Sequence, residues 1–143
     1  MNDLRQLLPE KHIKVVDSID NWKDAVNLAS KPLQEEDLIT PIYVENMIKS
    51  VKNNGPYMVL ADYFALMHAQ AGKGVKKQSM SLLVTKEAID LEGKPVKIFL
   101  ILAAEDNQSH LKSLQEIMEV FMDEQKYQIV LSGDRTKIIN LFK

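Results

Sequence analysis

The chain has 143 residues, of which 45% are hydrophobic and 27% are charged, and its formal net charge is −2. This length and composition predict a single globular domain over residues 1–143. The slightly acidic charge excludes the strongly basic surface that is typical of nucleic-acid-binding domains. The absence of cysteine excludes disulfides and thiolate metal sites, and it is typical of proteins from a reducing cytoplasm.

The sequence carries no sign of export or membrane insertion. Residues 1–6 lack the basic and long apolar regions of a signal peptide. The longest apolar run, residues 98–104, is too short to cross a bilayer. We therefore expect a soluble, cytoplasmic protein that neither inserts into a membrane nor binds nucleic acid.

The first part of the chain predicts a short strand followed by two amphipathic helices. The strand is expected at residues 13–16. Residues 20–21 (Asp-Asn) offer an N-cap for the first helix, and Pro32 is expected to end it. Residues 40–41 (Thr-Pro) predict the start of the second helix, because proline is tolerated in the first helical turn. Residues 53–56 (Asn-Asn-Gly-Pro) are expected to end that helix.

The middle of the chain predicts the strands of a sheet. Residues 57–60 and 64–68 are short apolar segments. Residues 78–84 place Met80, Leu82 and Val84 on one face of a strand, with two serines among the residues on the other. Residues 92–95 (Glu-Gly-Lys-Pro) are typical of a turn. Residues 98–104 are apolar on both faces, which indicates a central strand covered by helices on both sides.

Helices are expected again after the central strand. Apolar residues recur at helical spacing from Leu111 to Phe121, and residues 106–109 contain several possible N-caps. A last helix is expected to begin after residues 133–134 (Gly-Asp). The order of these elements predicts an α/β fold, a single-domain mixed β-sheet flanked by helices on both faces in a three-layer sandwich.

Two of the three histidines lie where a sheet of this kind would bind a ligand. His68 ends an apolar segment and opens a loop of small and basic residues, residues 69–77, so we consider it the candidate nucleophile. His110 lies in the first turn of the helix after the central strand, beyond a strand end where α/β sheets bind ligands. The N–H groups of a helix N-terminus favour anions, and its dipole favours a neutral His110. This pattern indicates phosphoryl chemistry.

Other interpretations of the same residues stay open. Either histidine can be a structural residue with satisfied hydrogen bonds. Together with Asp106 they can form a zinc set of two histidines and a carboxylate, but no spacing of the HExxH type supports it, and we expect no metal. His12 is expected at the surface, because it lies in a charged stretch. Four methionines are expected in the core rather than at a site: Met67, Met80, Met118 and Met122.

Several segments, taken in order, resemble a known family. They begin with Trp22-Lys23-Asp24-Ala25-Val26, continue through Gly55-Pro56-Tyr57, Val59-Leu60-Ala61, Ala65-Leu66-Met67-His68-Ala69 and Gly72-Lys73-Gly74-Val75, and end with Ala103-Ala104-Glu105-Asp106 and Ser109-His110-Leu111. The later ones are similar to the two histidine segments of enzyme IIA components of the bacterial phosphotransferase system. Within that system they resemble the mannitol/fructose class and its ascorbate-type branch.

The resemblance implies a phosphotransferase that works through a phosphohistidine intermediate. His68 would accept a phosphoryl group from phospho-HPr and pass it to enzyme IIB. The group would then serve the uptake of a carbohydrate, L-ascorbate or a related sugar or polyol, through the membrane component enzyme IIC, which this chain would meet only indirectly. His110 would orient His68 and stabilise the phosphate. The family fold is a mixed sheet flanked by helices, and no cofactor is implied.

The resemblance also suggests roles for the residues around His68. Those expected to support the phosphate or shape its loop are Gln70, Gly72, Lys73 and Gly74. Those expected to dock both protein partners are Tyr63, Phe64 and Met67.

The chain departs from the family pattern at two positions. Met67 stands where the family typically has proline, and Gln70 stands where an arginine is common. A neutral amide can hydrogen-bond a phosphate but cannot neutralise it. Two alternatives stay open. The first is a regulatory module related to enzyme IIA. The second is a small-molecule- or metal-binding α/β domain that transfers no phosphoryl group.

Overall fold

The computed structural model describes residues 4–143. After a first helix and strand, the chain forms two helices, then four consecutive strands, then three helices, and a 3₁₀ turn at Glu10–His12 precedes the first strand. The helices are α1 (Leu4–Leu7), α2 (Trp22–Glu35), α3 (Pro41–Asn54), α4 (Asn107–Phe121), α5 (Glu124–Leu131) and α6 (Arg135–Leu141). The strands are β1 (Ile13–Val16), β2 (Val59–Ala61), β3 (Tyr63–Met67), β4 (Ser79–Leu91) and β5 (Lys94–Ala103). Within residues 4–143, no helix is both long and apolar enough to cross a membrane.

The five strands form one mixed sheet in the order β1-β4-β5-β3-β2. Strand β5 is central, as its apolar sequence predicts, and it pairs antiparallel with β4 and parallel with β3. Glu92 and Gly93 make the tight β4–β5 turn, both with positive φ. The parallel pairing of β3 with β5 is what later places two loops at the same edge of the sheet.

Helices cover both faces of the sheet. Alternate side chains of β5, such as Phe99 and Ile101, pack against α2 and α3. The intervening ones, such as Ile98 and Leu100, pack against the layer of α1, α4, α5 and α6. The two core clusters, one on each side of the sheet, confirm the predicted three-layer sandwich.

The predicted helix starts are confirmed, but the predicted end of α2 is wrong. The Asn21 side chain accepts a hydrogen bond from the Asp24 amide at 2.8 Å and so caps α2. The helix then runs through Pro32 to Glu35. Pro32 lies in the last turn, where only one backbone hydrogen bond is lost, and the next residue, Leu33, is fully buried in the core. Burial of Leu33 favours continuing the helix.

Several short elements carried too little pattern to be predicted. Helix α5 buries only Tyr127 and Val130, and α1 is one turn long. Met122, expected in the core, lies at the end of α4 and is 77% exposed. Met122 caps the C-terminal end of α4 instead of extending the apolar face of the helix, and its side chain faces solvent.

His12 is buried, contrary to the expectation that it lies at the surface. Only 4% of it is exposed, although it follows the charged residues Glu10 and Lys11. Its Nδ1 lies 2.9 Å from the Met80 carbonyl oxygen and its Nε2 lies 2.6 Å from a Glu36 carboxylate oxygen. The 3₁₀ turn points His12 inward, and the side chain joins β4 to the end of α2.

We predict that Glu36→Gln destabilises the fold at neutral pH by about 1 kcal/mol. Burial raises the pKa of Glu36, but hydrogen bonds from Lys11 and His12 outweigh it, and the net pKa lies below its ordinary value. A carboxyl whose pKa is depressed on folding stabilises the fold above its unfolded-state pKa. That contribution is lost as the pH falls through the lower, folded-state pKa.

The measurement is the free energy of unfolding in urea between pH 7 and pH 3. The difference between wild type and Glu36→Gln should shrink with acidity. The matched control is Glu45→Gln, which changes an exposed carboxylate on α3 and should shift stability little at any pH. An equal, pH-independent loss in both variants would contradict the role of the Glu36 carboxylate.

Candidate functional site

The parallel pairing of β3 with β5 brings the two candidate histidines together. Met67, the last residue of β3, pairs with Ile101 near the end of β5, so both strands end at one edge. His68 follows β3 directly, and His110 lies in the first turn of α4, shortly after β5 ends. Their ring centroids are 5.4 Å apart. Each histidine was expected at a strand end, and the structure shows that the two are neighbours.

The His68 ring is held by the backbone of its own strand. Its Nδ1 lies 2.9 Å from the Leu66 carbonyl oxygen. A carbonyl oxygen can only accept, so Nδ1 donates its proton and Nε2 keeps a lone pair. The Tyr57 and His68 rings are nearly perpendicular, with 6.3 Å between centroids and an interplanar angle of 85°. His68 is thus contacted on two sides, and Nε2 is the ring nitrogen with the free lone pair.

His110 favours the neutral form. Its partial burial lowers its pKa, and the neighbouring His68 lowers it further, because two imidazolium charges would repel. A neutral imidazole can both donate and accept a hydrogen bond. The neutral His110 expected from the sequence is therefore favoured, and burial is the larger of these two causes.

The N-terminus of α4 is already occupied by a carboxylate. Asp106 accepts a hydrogen bond from the Ser109 amide at 2.7 Å, and hydrogen bonds from Ser109 and Gln108 lower its pKa. The N–H groups that were expected to hold a phosphate are thus largely engaged by Asp106. Because the Asp106 carboxylate caps α4, these contacts do not support the zinc site considered for it with His68 and His110. No group of three or more possible metal ligands occurs among residues 4–143.

The loop after His68 is shaped by two glycines that lie outside the cleft. The Gly72 amide donates to the Ala104 carbonyl at 2.9 Å, and a Cβ on Gly72 would lie 3.1 Å from the Glu105 carbonyl oxygen. Gly74 packs against the start of α3, where its carbonyl accepts the Thr40 amide at 2.9 Å. Both glycines have positive φ. They support the loop, and the side chains of Gln70 and Lys73 line the cleft.

Two hydrogen bonds join the far end of that loop to the segment between β5 and α4. The Gln78 amide donates to the Glu105 carboxylate at 2.9 Å, and the Glu105 amide donates to the Gln78 side chain at 2.8 Å. The Gln78 side chain also donates to the Ser113 hydroxyl of α4 at 2.9 Å. These contacts fix the β5–α4 connection that carries His110.

The histidines open onto a cleft of about 520 Å³ that the sequence analysis only partly anticipated. One wall is a polar stripe of α3, opposite the apolar stripe that predicted this helix. A polar stripe looks like an ordinary solvated face in the sequence, so only the fold assigns it to the site. The residues that line the cleft are Asn46, Lys49, Ser50, Asn53, Tyr57, His68, Ala69, Gln70, Ala71, Lys73, Asn107 and His110.

The cations at the cleft come from two different elements. Lys49 lies on α3 and Lys73 on the loop, and both line the cleft. Lys76, by contrast, forms an ion pair with Asp37 at 2.6 Å. The Ser50 and Tyr57 hydroxyl oxygens are 2.6 Å apart, which ties the α3 wall to the segment before β2.

The docking surface expected from β3 is wrong for two of its three residues. Phe64 and Met67 are fully buried, because β3 lies inside a sheet with helices on both faces. Tyr63 is 37% exposed but starts the strand that ends at Met67. At about 3.3 Å per residue, it lies about 13 Å from the end next to His68.

Comparison with known proteins identifies the family. Residues 6–143 match the family model described as "Phosphoenolpyruvate-dependent sugar phosphotransferase system, EIIA 2". The chain belongs to this enzyme IIA family. It is 31% identical to an ascorbate-specific phosphotransferase system EIIA component of Shigella boydii over 129 residues, which are 87% of this chain and 84% of the relative.

Solved structures agree with the family assignment. The solution structure of the mannitol-specific cryptic phosphotransferase enzyme IIA from Escherichia coli superposes with a TM-score of 0.91, at 27% identity over 99% of this chain and 98% of that one. A complex of enzyme IIAMTL and phosphorylated enzyme IIBMTL from Escherichia coli contains the same fold, with a TM-score of 0.76 and 17% identity over 92% and 94% of the chains.

We predict that His68→Gln raises the pKa of His110. The substitution removes the neighbouring charge that opposes protonation, while the burial of His110 persists, so the pKa should rise without fully reaching its ordinary value. The measurement is an NMR titration of the His110 ring in both proteins. Glu45→Gln, outside the cleft, should leave the titration of His110 unchanged. A fall of the His110 pKa in His68→Gln would contradict the contact.

We predict that Gly74→Ala destabilises the fold by about 2–3 kcal/mol. The new Cβ would lie 2.9 Å from the Tyr43 amide nitrogen and 3.0 Å from the Thr40 hydroxyl, at a φ of +77°. Gly133→Ala is the matched control, because its φ is +70° but its nearest neighbour is 3.5 Å away. Urea unfolding of both variants isolates the steric part, and equal losses would show that φ alone matters.

Proposed function

We propose that the protein is a cytoplasmic phosphoryl carrier of the phosphoenolpyruvate-dependent sugar phosphotransferase system, with His68 as its phosphorylated residue. The observation that carries this proposal is the hydrogen bond from His68 Nδ1 to the Leu66 carbonyl, which leaves Nε2 as the nucleophile beside a polar cleft. Membership of the enzyme IIA family supports it.

The proposed reaction needs only the ring and its surroundings. The lone pair of His68 Nε2 attacks the phosphorus of phospho-HPr in line. The new N–P bond forms as the bond to the donor breaks, and the electron pair of the broken bond leaves with the donor. The proton stays on Nδ1 throughout, hydrogen-bonded to the Leu66 carbonyl, which helps disperse the positive charge that the ring gains. In the second transfer, a nucleophile of enzyme IIB attacks the phosphorus, the N–P bond breaks, and its electron pair returns to His68 Nε2.

Charge around the phosphoryl group would come from both walls of the cleft. Lys73 on the loop and Lys49 on α3 supply ammonium groups, while His110, Gln70 and Asn107 supply neutral hydrogen bonds. Positioned donors of this kind provide most of the catalysis in phosphoryl transfer. Lys49 therefore offers a positive charge that the neutral Gln70 does not.

Both protein partners would dock on the rim of the cleft rather than on β3. Three large apolar side chains are exposed there or next to it: Tyr57 at 48%, Leu111 beside His110 at 59%, and Ile42 at 58%, one turn before Asn46 on α3. HPr and enzyme IIB must reach the same nitrogen, so they would use this rim one at a time. The complex known for enzyme IIAMTL supports enzyme IIB as a partner. Rapid exchange favours a small interface.

The most specific part of the proposal is the identity of the carbohydrate that this carrier serves. We propose L-ascorbate or a related sugar or polyol, because relatives with ascorbate and mannitol names match the chain at comparable identity. The choice would be made by the enzyme IIB that accepts the group. Transfer from the phosphorylated protein to ascorbate-type and mannitol-type enzyme IIB, measured in parallel, separates the two.

We predict that the protein gains one acid-labile phosphoryl group when incubated with phosphoenolpyruvate, enzyme I and HPr. Intact mass measures the gain, and heteronuclear NMR should place it on Nε2 of His68. His68→Gln should abolish it, because the amide has no comparable nucleophile. His110→Gln should keep phosphorylation but slow onward transfer by about 10- to 100-fold, since it removes one stabilising contact.

The outcomes separate the proposed carrier from the alternatives. No gain of mass, under conditions that phosphorylate a known enzyme IIA, would refute the carrier. Phosphorylation without transfer to any enzyme IIB would favour a regulatory module. Phosphorylation on Nδ1 of His68 would contradict the assigned tautomer.

A further inference from the structure

A buried tyrosine lies directly behind the candidate nucleophile. Tyr43, on α3, is fully buried, and its hydroxyl contacts two backbone groups. The hydroxyl donates its proton to the Leu102 carbonyl and accepts a hydrogen bond from the Ala69 amide at 3.1 Å. Burial raises the pKa of Tyr43 to about 12, so the hydroxyl keeps its proton at physiological pH. Its donor and acceptor directions are therefore fixed.

These two hydrogen bonds join the three elements that surround the cleft. Ala69 follows His68 in the chain, and Leu102 lies near the end of β5, which leads toward His110. Tyr43 itself belongs to α3, whose polar stripe forms the opposite wall of the cleft. One hydroxyl thus joins α3 to the loop that begins at His68 and to the end of β5.

The contact with Ala69 bears directly on the geometry of His68. The Ala69 amide belongs to the peptide unit that links it to His68, so fixing that amide fixes the plane of this peptide. The His68 ring must turn back to reach the Leu66 carbonyl, two residues earlier in the chain. Met67 does not lock its own φ as a proline would, and its pairing with Ile101 holds only the end of the strand, so the backbone that follows depends on contacts such as this one.

The start of α3 holds Tyr43 in turn. Gly74 approaches so closely that a Cβ there would lie 2.9 Å from the Tyr43 amide nitrogen and 3.1 Å from its Cβ. The loop that follows His68 therefore packs on the backbone of the residue that anchors its first amide. Tyr43 therefore contacts the loop at Ala69, through its hydroxyl, and at Gly74, through its backbone.

We propose that Tyr43 is the positioning residue of His68, holding the Ala69 amide and the Leu102 carbonyl so that His68 presents Nε2 to the incoming phosphoryl group. This inference rests on the proposed carrier function and adds a residue to it. Tyr43 touches neither the phosphoryl group nor the nucleophilic nitrogen, so it acts only through backbone geometry.

The first experiment measures phosphoryl transfer from phospho-HPr to Tyr43→Phe. Misplacing a nucleophile slows transfer without weakening docking, so we expect the rate at saturating phospho-HPr to fall about 10- to 100-fold and the KM for phospho-HPr to stay within about twofold. In ¹⁵N NMR spectra, the fraction of His68 with its proton on Nδ1 should fall. A purely structural role would leave that tautomer unchanged.

Two variants serve as controls. Tyr127→Phe makes the same chemical change at a buried hydroxyl that has no hydrogen-bond partner among the described residues. Thr85→Val removes a buried hydroxyl that donates to the Glu87 carbonyl at 2.8 Å, outside the cleft. Both should transfer at the wild-type rate with the wild-type His68 tautomer. A wild-type rate in Tyr43→Phe, or an equal slowing in Thr85→Val, would overturn the proposal.

A second measurement uses the unaltered protein, so it holds even if Tyr43→Phe does not fold. The Ala69 amide should exchange with deuterium at least about tenfold more slowly than the amides of Gln70 and Ala71, for which no such anchor exists in the described hydrogen bonds. Exchange of Ala69 as fast as its neighbours would overturn the anchor. The Ala69 amide exchange rate and the His68 tautomer are both measured without phosphorylation. They therefore test the role of Tyr43 even if the protein proves not to be a phosphoryl carrier.

Discussion

The site depends on the parallel pairing of β3 with β5. In an antiparallel pair, the C-terminal end of one strand lies beside the start of the other, and the two histidine segments would lie at opposite edges of the sheet. Parallel pairing, with Met67 beside Ile101, puts both C-terminal ends together. The pairing is possible because β5 is apolar on both faces and can lie at the centre, with the antiparallel β4 on its other side. Ordinary burial thus builds the edge on which the cleft forms.

That edge is held by polar contacts rather than by further burial. The loop after His68 is tied to the β5–α4 connection twice, through the Gly72 amide and through the contacts between Gln78 and Glu105. Each tie satisfies backbone groups that the end of a strand leaves unpaired. The rigid sheet supplies the position, and these hydrogen bonds supply the orientation. This division lets the cleft be polar without weakening the two apolar layers.

The sequence predicted what depends on regular periodicity. The central strand at residues 98–104, the helix starts at Asn21 and Thr40, and the three layers are all visible as runs of buried positions. His12 and Met122 were misplaced, because the exposure of a single residue next to a turn depends on the direction of that turn. Pro32 was taken as a helix end, because a local rule takes no account of the burial of the next residue.

The residues of the candidate site were likewise predicted only where a regular sequence pattern marks them. His68 and His110 were found because each follows an element with a clear pattern, and family resemblance supported them. The α3 wall with Lys49 was missed, since a polar helical stripe has the same pattern whether it faces solvent or a cleft. Phe64 and Met67 were expected on a docking surface, because their nearness in sequence to His68 was taken for nearness at the surface. In a strand covered by helices on both faces, that inference fails for Phe64 and Met67.

The electrostatics of the cleft fit the proposed carrier function, in which a phosphoryl group is bound only briefly. A tenfold shift in the equilibrium for transfer between this chain and its partner corresponds to about 1.4 kcal/mol. A carrier that bound the phosphoryl group more strongly by several times that free energy would not release it to the partner. Asp106 engages the N-terminus of α4, Gln70 is neutral, and burial with the neighbouring His68 disfavours a charge on His110. The positive charge comes instead from Lys49 and Lys73, on flexible side chains at an open cleft. Lysines of this kind are well solvated and neutralise an anion only partly, which favours transfer in both directions.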